Sequence, residues 1–235
     1  TSGGWTKLTS ADGSGTFVVY NSALNASNYM LFMGGGAQIN GIATGASSAA
    51  TIMTINKDSG STRSINAAGS INANGADYAE YMYKATTDLI LKGDICGVNS
   101  NGELTNIYSD SISFVVKSTN PSYVGNDIWA IEDIVGKMPM DEDYEDKEQY
   151  KLDLEEFKAK IEIERAKVDR IAFSGQVPCN VYDAQVGDYI IPINDNGKIK
   201  GQALSNPTFE QYQISVGKVW KIMEDGRAWI AVKIG

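Results

Sequence analysis

Hydrophobic and polar positions follow three different patterns along this chain of 235 residues. In the first 75 residues apolar positions come in short runs: Phe17-Val18-Val19-Tyr20, Met30-Leu31-Phe32-Met33 and Thr51-Ile52-Met53-Thr54-Ile55. Gly34-Gly35-Gly36, Asn40-Gly41 and Ser59-Gly60 separate them, so the stretch reads as short strands joined by tight turns. From 76 to 135 the pattern is mixed β. Asp88 to Val98 reads as strand, turn and strand, Asn101-Gly102 as a hairpin turn, and Ser111 to Lys117 as a strand ended by Asn120-Pro121. Between 141 and 170 the period changes. Tyr150, Leu154, Phe157, Ile161 and Val168 form a stripe at helical spacing, broken by Glu164, with neither Gly nor Pro present. This predicts one long amphipathic helix over about 142–170, with Asp141, Glu142 and Asp143 at its positive N-terminal end. Residues 171 to 235 return to β. Ile171 to Pro178 leads into Val186 to Pro192, Asn194 to Gly197 turns the chain into Lys198-Ile199-Lys200, and Ile214 to Met223 pairs with Ala228 to Ile234 across a two-residue Asp225-Gly226 loop. Trp220 and Trp229 flank that last turn and are expected in the core. The fold class is therefore mainly β with one long helix.

Charge divides the chain more sharply than hydropathy does. Residues 1–75 hold five charges: Lys7, Asp12, Lys57, Asp58 and Arg63. Residues 76–235 carry the other 27 acids and 17 bases. A nearly neutral piece rich in Gly, Ser, Ala, Asn and Thr buries too little to be stable alone, but suits a β-stalk wound against copies of itself. Two domains are expected, 1–75 as the end of an oligomeric stalk and 76–235 as a globular β-rich domain. The net charge of −9 argues against a nucleic-acid binder, because phosphate contacts need clustered Lys and Arg. No run of 18 apolar residues is present to span a membrane and no leader is visible; the start at Thr1, without Met, reads as a piece of a longer chain. The absence of histidine removes Ser-His-Asp and Cys-His catalysis and histidine-based zinc sites. Cys96 and Cys179 are too few for a thiolate metal site and are expected as buried free thiols. The acidic run from Glu132 to Arg170 lacks the ordered alternation and Gly of a calcium loop and reads as a solvated helix face. No metal and no cofactor is expected.

What remains for acid–base chemistry is carboxylate, Lys, Tyr and Cys. The densest constellation lies where the charge pattern breaks: Ala73-Asn74-Gly75-Ala76-Asp77-Tyr78-Ala79-Glu80. On a helical turn Asp77 and Glu80, three apart, would share a face, and two close carboxylates raise one another's pKa so that one serves as acid and the other as base. Asn74-Gly75 just upstream can bend freely, and an Asn side chain can attack its own carbonyl. No Ser, Thr or Cys lies between Asn72 and Asp77, and Ser70 is the nearest hydroxyl in sequence.

Gly75-Ala76-Asp77-Tyr78-Ala79-Glu80-Tyr81 resembles the opening signature of the self-cleaving C-terminal intramolecular chaperones of phage tail spikes and neck appendages, a glutamic-type autopeptidase family. Gly93-Asp94, Asn120-Pro121-Ser122-Tyr123-Val124-Gly125-Asn126, Ser174 to Val181, Val186 to Ile190 and Val216-Gly217-Lys218-Val219 follow in the same order, so the likeness covers 76–235. The helix at 141–170 looks like an insertion or an enlarged element. Asn28 to Phe32 through Ile39 to Ile42 resembles the repeats of trimeric phage fibre shafts, which would make 1–75 a shaft end of β-helix type. The resemblance implies a homotrimer in a virion tail appendage. Its C-terminal part sets the register of three shaft chains, then cuts itself off at the junction near 73–76 and is released in the host cytoplasm. Asp77 and Glu80 would be the catalytic residues and Ala73, Asn74 and Gly75 the scissile region. The alternatives are a non-cleaving structural trimerisation domain and a fibre tip that binds a host-surface glycan or receptor, for which Trp5, Tyr20 and Tyr29 are the aromatic candidates. No nucleic acid and no membrane insertion is expected.

Overall fold

The computed structural model describes residues 65, 67–85, 87–139 and 143–233. The shaft strands expected before residue 65, and the aromatic candidates Trp5, Tyr20 and Tyr29, lie outside the described residues.

Ten strands build the described part, in chain order β1 (Asp77–Tyr83), β2 (Ile95–Val98), β3 (Leu104–Thr105), β4 (Ser113–Lys117), β5 (Pro121–Gly125), β6 (Val168–Cys179), β7 (Tyr189–Asp195), β8 (Lys198–Leu204), β9 (Gly217–Ile222) and β10 (Ala228–Val232). Three helices interrupt them: α1 (Glu132–Val135), α2 (Lys147–Ala166) and α3 (Phe209–Gln213). The expected mainly β class with one long helix is what the fold shows. The strands pair in the order β3-β2-β4-β6-β10-β9-β7-β8, with β1 added to β6 and β5 added to β1. All pairings are antiparallel except that of β1 with β5. The sheet curls until its ends approach, where Ile107 bridges Lys198 of β8.

The twelve-residue β6 is the spine. Its first half pairs with β1 and β4, its last residues with β10. Curling encloses one apolar core, with Ile95, Phe114, Val116, Ala172, Val177, Ile190, Val219 and Ile230 among its members. The other face of β2, β4 and β6 carries a second cluster: Cys96, Leu104, Val115, Ile171 and Ile90. β4 is covered on both faces, which is why Phe114, Val115 and Val116 read as a continuous apolar run. Cys96 and Cys179 are buried free thiols, as expected.

A third cluster seats the helices. Ile161 and Phe157 of α2 pack with Trp129, Val135, Val168 and Tyr81 of β1. The Arg165 guanidinium lies 5.4 Å from the Tyr81 ring centre and 5.7 Å from that of Trp129, and its Nη1 donates to the Val168 carbonyl. The helix is shorter than 142–170 at both ends. Asp146 is its N-cap, its Oδ1 accepting from the Glu148 and Gln149 amides. Asp143, expected at its start, stands outside it, and Asp141 and Glu142 are not among the described residues. At the other end Val168 leaves the helical stripe and opens β6, where a β-branched residue is favoured. The outer face is solvated, with Lys151–Glu148 and Lys158–Glu155 pairs along it.

Other elements depart from expectation. Residues 88–91 are irregular, with Ile90 buried and Leu89 and Leu91 exposed on either side. Pro121 opens a strand instead of ending one, β8 runs on to Leu204, and α1 and α3 were not foreseen. The Asn101-Gly102 hairpin is present. The final turn is a three-residue loop, Glu224-Asp225-Gly226, closed by Met223 N–H to Arg227 C=O, with Gly226 left-handed at φ 85°. A bulge in the register of β10 follows Trp229. Trp220 is 58% exposed and Trp229 half-buried, which corrects their assignment to the core; among the described residues the buried tryptophan is Trp129.

Candidate functional site

The charge break of the sequence is a physical seam. Residues 67–74 are exposed, Gly75 is half-buried, and β1 begins at Asp77 in the middle of the sheet. One edge of β1 pairs in parallel with β5, Asp77 opposite Pro121 and Glu80 opposite Gly125. The other pairs antiparallel with β6, Asp77 opposite Gly175 and Glu80 opposite Ile171. Both registers slip beside Tyr78: Ser122 is the extra residue on β5 and Phe173 on β6. Such bulges re-aim side chains and are common beside active sites.

The backbones approach closely here, and glycine is what permits it. A Cβ on Gly75 would stand 2.2 Å from the Pro121 carbonyl carbon and 2.2 Å from the Ser122 amide nitrogen. Gly175, left-handed at φ 107°, packs on the Ala76 carbonyl and Asp77 Cα. The junction is held by donors from both sides. Asn120 Nδ2 donates to the Asn74 carbonyl at 3.1 Å, the Gln176 amide to the Ala76 carbonyl at 3.1 Å, and Ser122 Oγ to the Asp77 carbonyl at 3.0 Å. Farther along β1, Asn126 Nδ2 donates to the Tyr81 carbonyl at 2.8 Å.

Asp77 and Glu80 do not share a face. On a strand side chains alternate, so residues three apart point to opposite sides. Asp77 lies on the buried side with Ala79 and Tyr81, and Glu80 lies with Tyr78 on the outer side. The helical-turn geometry expected for the pair is therefore corrected. Asp77 is 2% exposed, and its Oδ2 has no hydrogen-bond partner. Burial pushes its carboxyl pKa above the ordinary range. The nearby buried Ser118 hydroxyl, the Arg170 charge and the backbone amide of Asp77 itself pull the other way. Glu80 Oε1 accepts from the Tyr78 hydroxyl at 2.6 Å, and that bond raises the pKa of Tyr78.

Of the sequence candidates, Asp77, Asn74 and Gly75 lie at this seam, Glu80 stands three residues along β1 on its opposite face, and Ala73 is exposed upstream. Ser118, Asn120, Ser122 and Arg170 were not singled out for the site. Asn120-Pro121 marks a strand end and stands in a segment of the family resemblance, but no local spacing links it to Asn74. Ser118 and Ser122 place hydroxyls near Asp77, where the junction sequence itself has none.

No family model and no curated protein matches the chain. Among solved structures, the crystal structure of the pre-mature bacteriophage phi29 gene product 12 is similar at 12% identity and a TM-score of 0.40. The likeness covers 72% of this chain and 23% of that one, so the chain spans less than a quarter of that protein. At that TM-score it carries no argument for fold or activity.

Proposed function

We propose that residues 76–235 are the chaperone end of a bacteriophage tail fibre or spike, which holds three chains together and then severs itself from the shaft at the junction near 73–76. The observation that carries this reading is Asp77: a buried carboxyl whose Oδ2 has no hydrogen-bond partner, on the first residue of β1, directly after an exposed junction segment. A carboxyl whose pKa is raised by burial holds its proton to higher pH than an exposed one and can protonate a departing amide nitrogen. Glu80 faces solvent beside Tyr78 and can serve as a base for an attacking water. The two point to opposite sides of one strand and do not face one another within a chain. The reading therefore assigns Glu80 of one protomer to the junction of its neighbour, which makes assembly a condition of cleavage. Cutting after assembly would make folding hard to reverse, a kinetic form of stability.

Intact-mass measurement after incubation tests this. The expected products are fragments of about residues 1–75 and 76–235, from a species of three chains in solution. Asp77→Asn and Glu80→Gln should each remain uncut alone, and a mixed trimer of the two should regain cleavage. An uncut wild-type trimer would favour the non-cleaving alternative, and a monomer would refute both.

A further inference from the structure

The segment Asn120–Asn126 lies along β1 and supplies three side-chain donors to its backbone. Asn120 reaches the Asn74 carbonyl, Ser122 the Asp77 carbonyl and Asn126 the Tyr81 carbonyl. The first two bracket the peptide units of Gly75 and Ala76, and Gly75 rests on the Asn120–Ser122 backbone. The third lies four residues beyond Asp77 and touches nothing at the junction. Neither Asn120 nor Ser122 donates elsewhere among the described residues, although Ser122 lies on a strand whose main chain already pairs with β1.

We infer that Asn120 and Ser122 are positioning residues that clamp the junction peptide on either side of the bond to be cut, so that cleavage waits for β5 to dock on β1. This deepens the reading above and rests on it. The physical reason is entropic. Upstream of Asp77 the chain is exposed, and an unheld peptide samples many geometries, of which few place a carbonyl against an acid and an attacking water. The clamp residues stand 46 and 45 positions from the carbonyls they hold. An unfolded or half-folded chain therefore has Asp77 and Glu80 close to the junction in sequence but lacks the groups that fix it. The clamp ties cleavage to completed sheet formation, which a self-severing folding aid needs, since a premature cut would release the chaperone before its work was done.

The test measures cleavage of the full-length chain by intact mass, with urea midpoints taken on the uncleaved Asp77→Asn background. Asn120→Ala and Ser122→Ala are expected to slow cleavage about tenfold to a hundredfold. Ser122→Thr, which keeps the hydroxyl, should recover most of the wild-type rate. The pH midpoint of the rate should stay where it is in the wild type, because the titrating carboxyls are untouched. Asn126→Ala removes an equivalent bond away from the junction and is expected to lower the urea midpoint as much as Asn120→Ala while leaving the rate within about twofold. Cleavage of Asn120→Ala and Ser122→Ala at the wild-type rate would overturn the clamp while leaving the self-cleavage reading intact. Equal slowing by Asn126→Ala would overturn it as well, since the effect would then follow stability alone. A wild-type chain that never cleaves would overturn the reading and the clamp together.

Discussion

Gly75→Ala is the sharpest test of the seam, because it adds one methyl group where the structure has no room for it. The new Cβ would lie 2.2 Å from two backbone atoms of β5 and 2.5 Å from the Asn120 carbonyl oxygen. Ordinary van der Waals contact needs more than an ångström beyond that, and the obstacles are main chain, which no rotamer change can clear. The junction must therefore lift off β5. That movement breaks the 3.1 Å bond from Asn120 to the Asn74 carbonyl, worth about 0.5–1.5 kcal/mol, on top of about 1–3 kcal/mol for overpacking. Against this, alanine stiffens the unfolded chain and returns about 0.4–1 kcal/mol. The net loss is about 1–3 kcal/mol, or a fall in urea midpoint of about 0.5–1.5 M at a slope of about 2 kcal/mol/M. Gly69→Ala is the control. It carries the same entropic gain, and its Cβ meets nothing within 4 Å. An ångström of misplacement should also slow self-cleavage about a hundredfold. Equal urea midpoints for the two alanine variants would refute the close packing on which the seam's geometry depends.

Three further outcomes follow from buried groups. Asp77 has a raised pKa in the folded state, so the native protein holds that proton more tightly than the unfolded chain does; its contribution to stability is full below the unfolded pKa and is lost as pH rises through the folded one. The stability of Asp77→Asn relative to wild type, from urea titrations between about pH 3 and about pH 8, should therefore rise with pH; a flat difference would refute the burial argument. Cys179, its thiol pKa pushed up to about 12 by burial, and Cys96, pushed up further, should react with a thiol reagent only at the rate of unfolding, and prompt labelling of the native chain would refute this. Asp169, buried with its Oδ1 2.6 Å from Lys117 Nζ and with Lys84 and Arg165 at 4.0 and 3.9 Å, should cost about 3–5 kcal/mol when replaced by alanine, since the largely buried Lys117 would lose its counter-charge; a loss below about 1 kcal/mol would show the pair to be dispensable.

Turns and strands with a strong local signal were legible in the sequence. Gly102, Gly197 and Gly226 mark hairpins because each takes a left-handed φ that other residues resist. The helix was legible through Phe157 and Ile161, but its ends were not. Acids and lysines look alike inside a helix and in the loop before it, and which of five neighbouring acids caps it is a matter of backbone angle. Val168 kept the helical phase while its β-branched side chain belonged to the strand beyond. The site was half visible. Asp77 and Glu80 stood out as carboxylates at the charge break, yet a spacing of three was read as helical although Asp77-Ala79-Tyr81 alternates with Tyr78-Glu80 as strand faces do. Asn120, Ser122 and the parallel β1–β5 pairing were out of reach, because contact across some 45 residues leaves no periodic trace in one sequence.

The place of the seam within the sheet bears on what a cut there would do. Every residue by which β1 pairs with β5 and β6 lies at or beyond Asp77. Upstream, residues 67–74 are exposed and bury no side chain in any of the three cores. Among the described residues, what crosses the junction is the packing of Gly75 and single hydrogen bonds to the Asn74 and Ala76 carbonyls, each worth about 1 kcal/mol. Severing the chain before Asp77 therefore removes a few kilocalories of attachment and leaves the sheet, its spine β6 and the helix seat on Tyr81 whole. Burial of the Asp77 carboxyl at that point is a cost to the fold, because its desolvation outweighs the Ser118 and Arg170 contributions that favour its charge. The fold thus carries this cost at the first residue of β1, beside a segment, 67–74, whose loss would take nothing from the three cores.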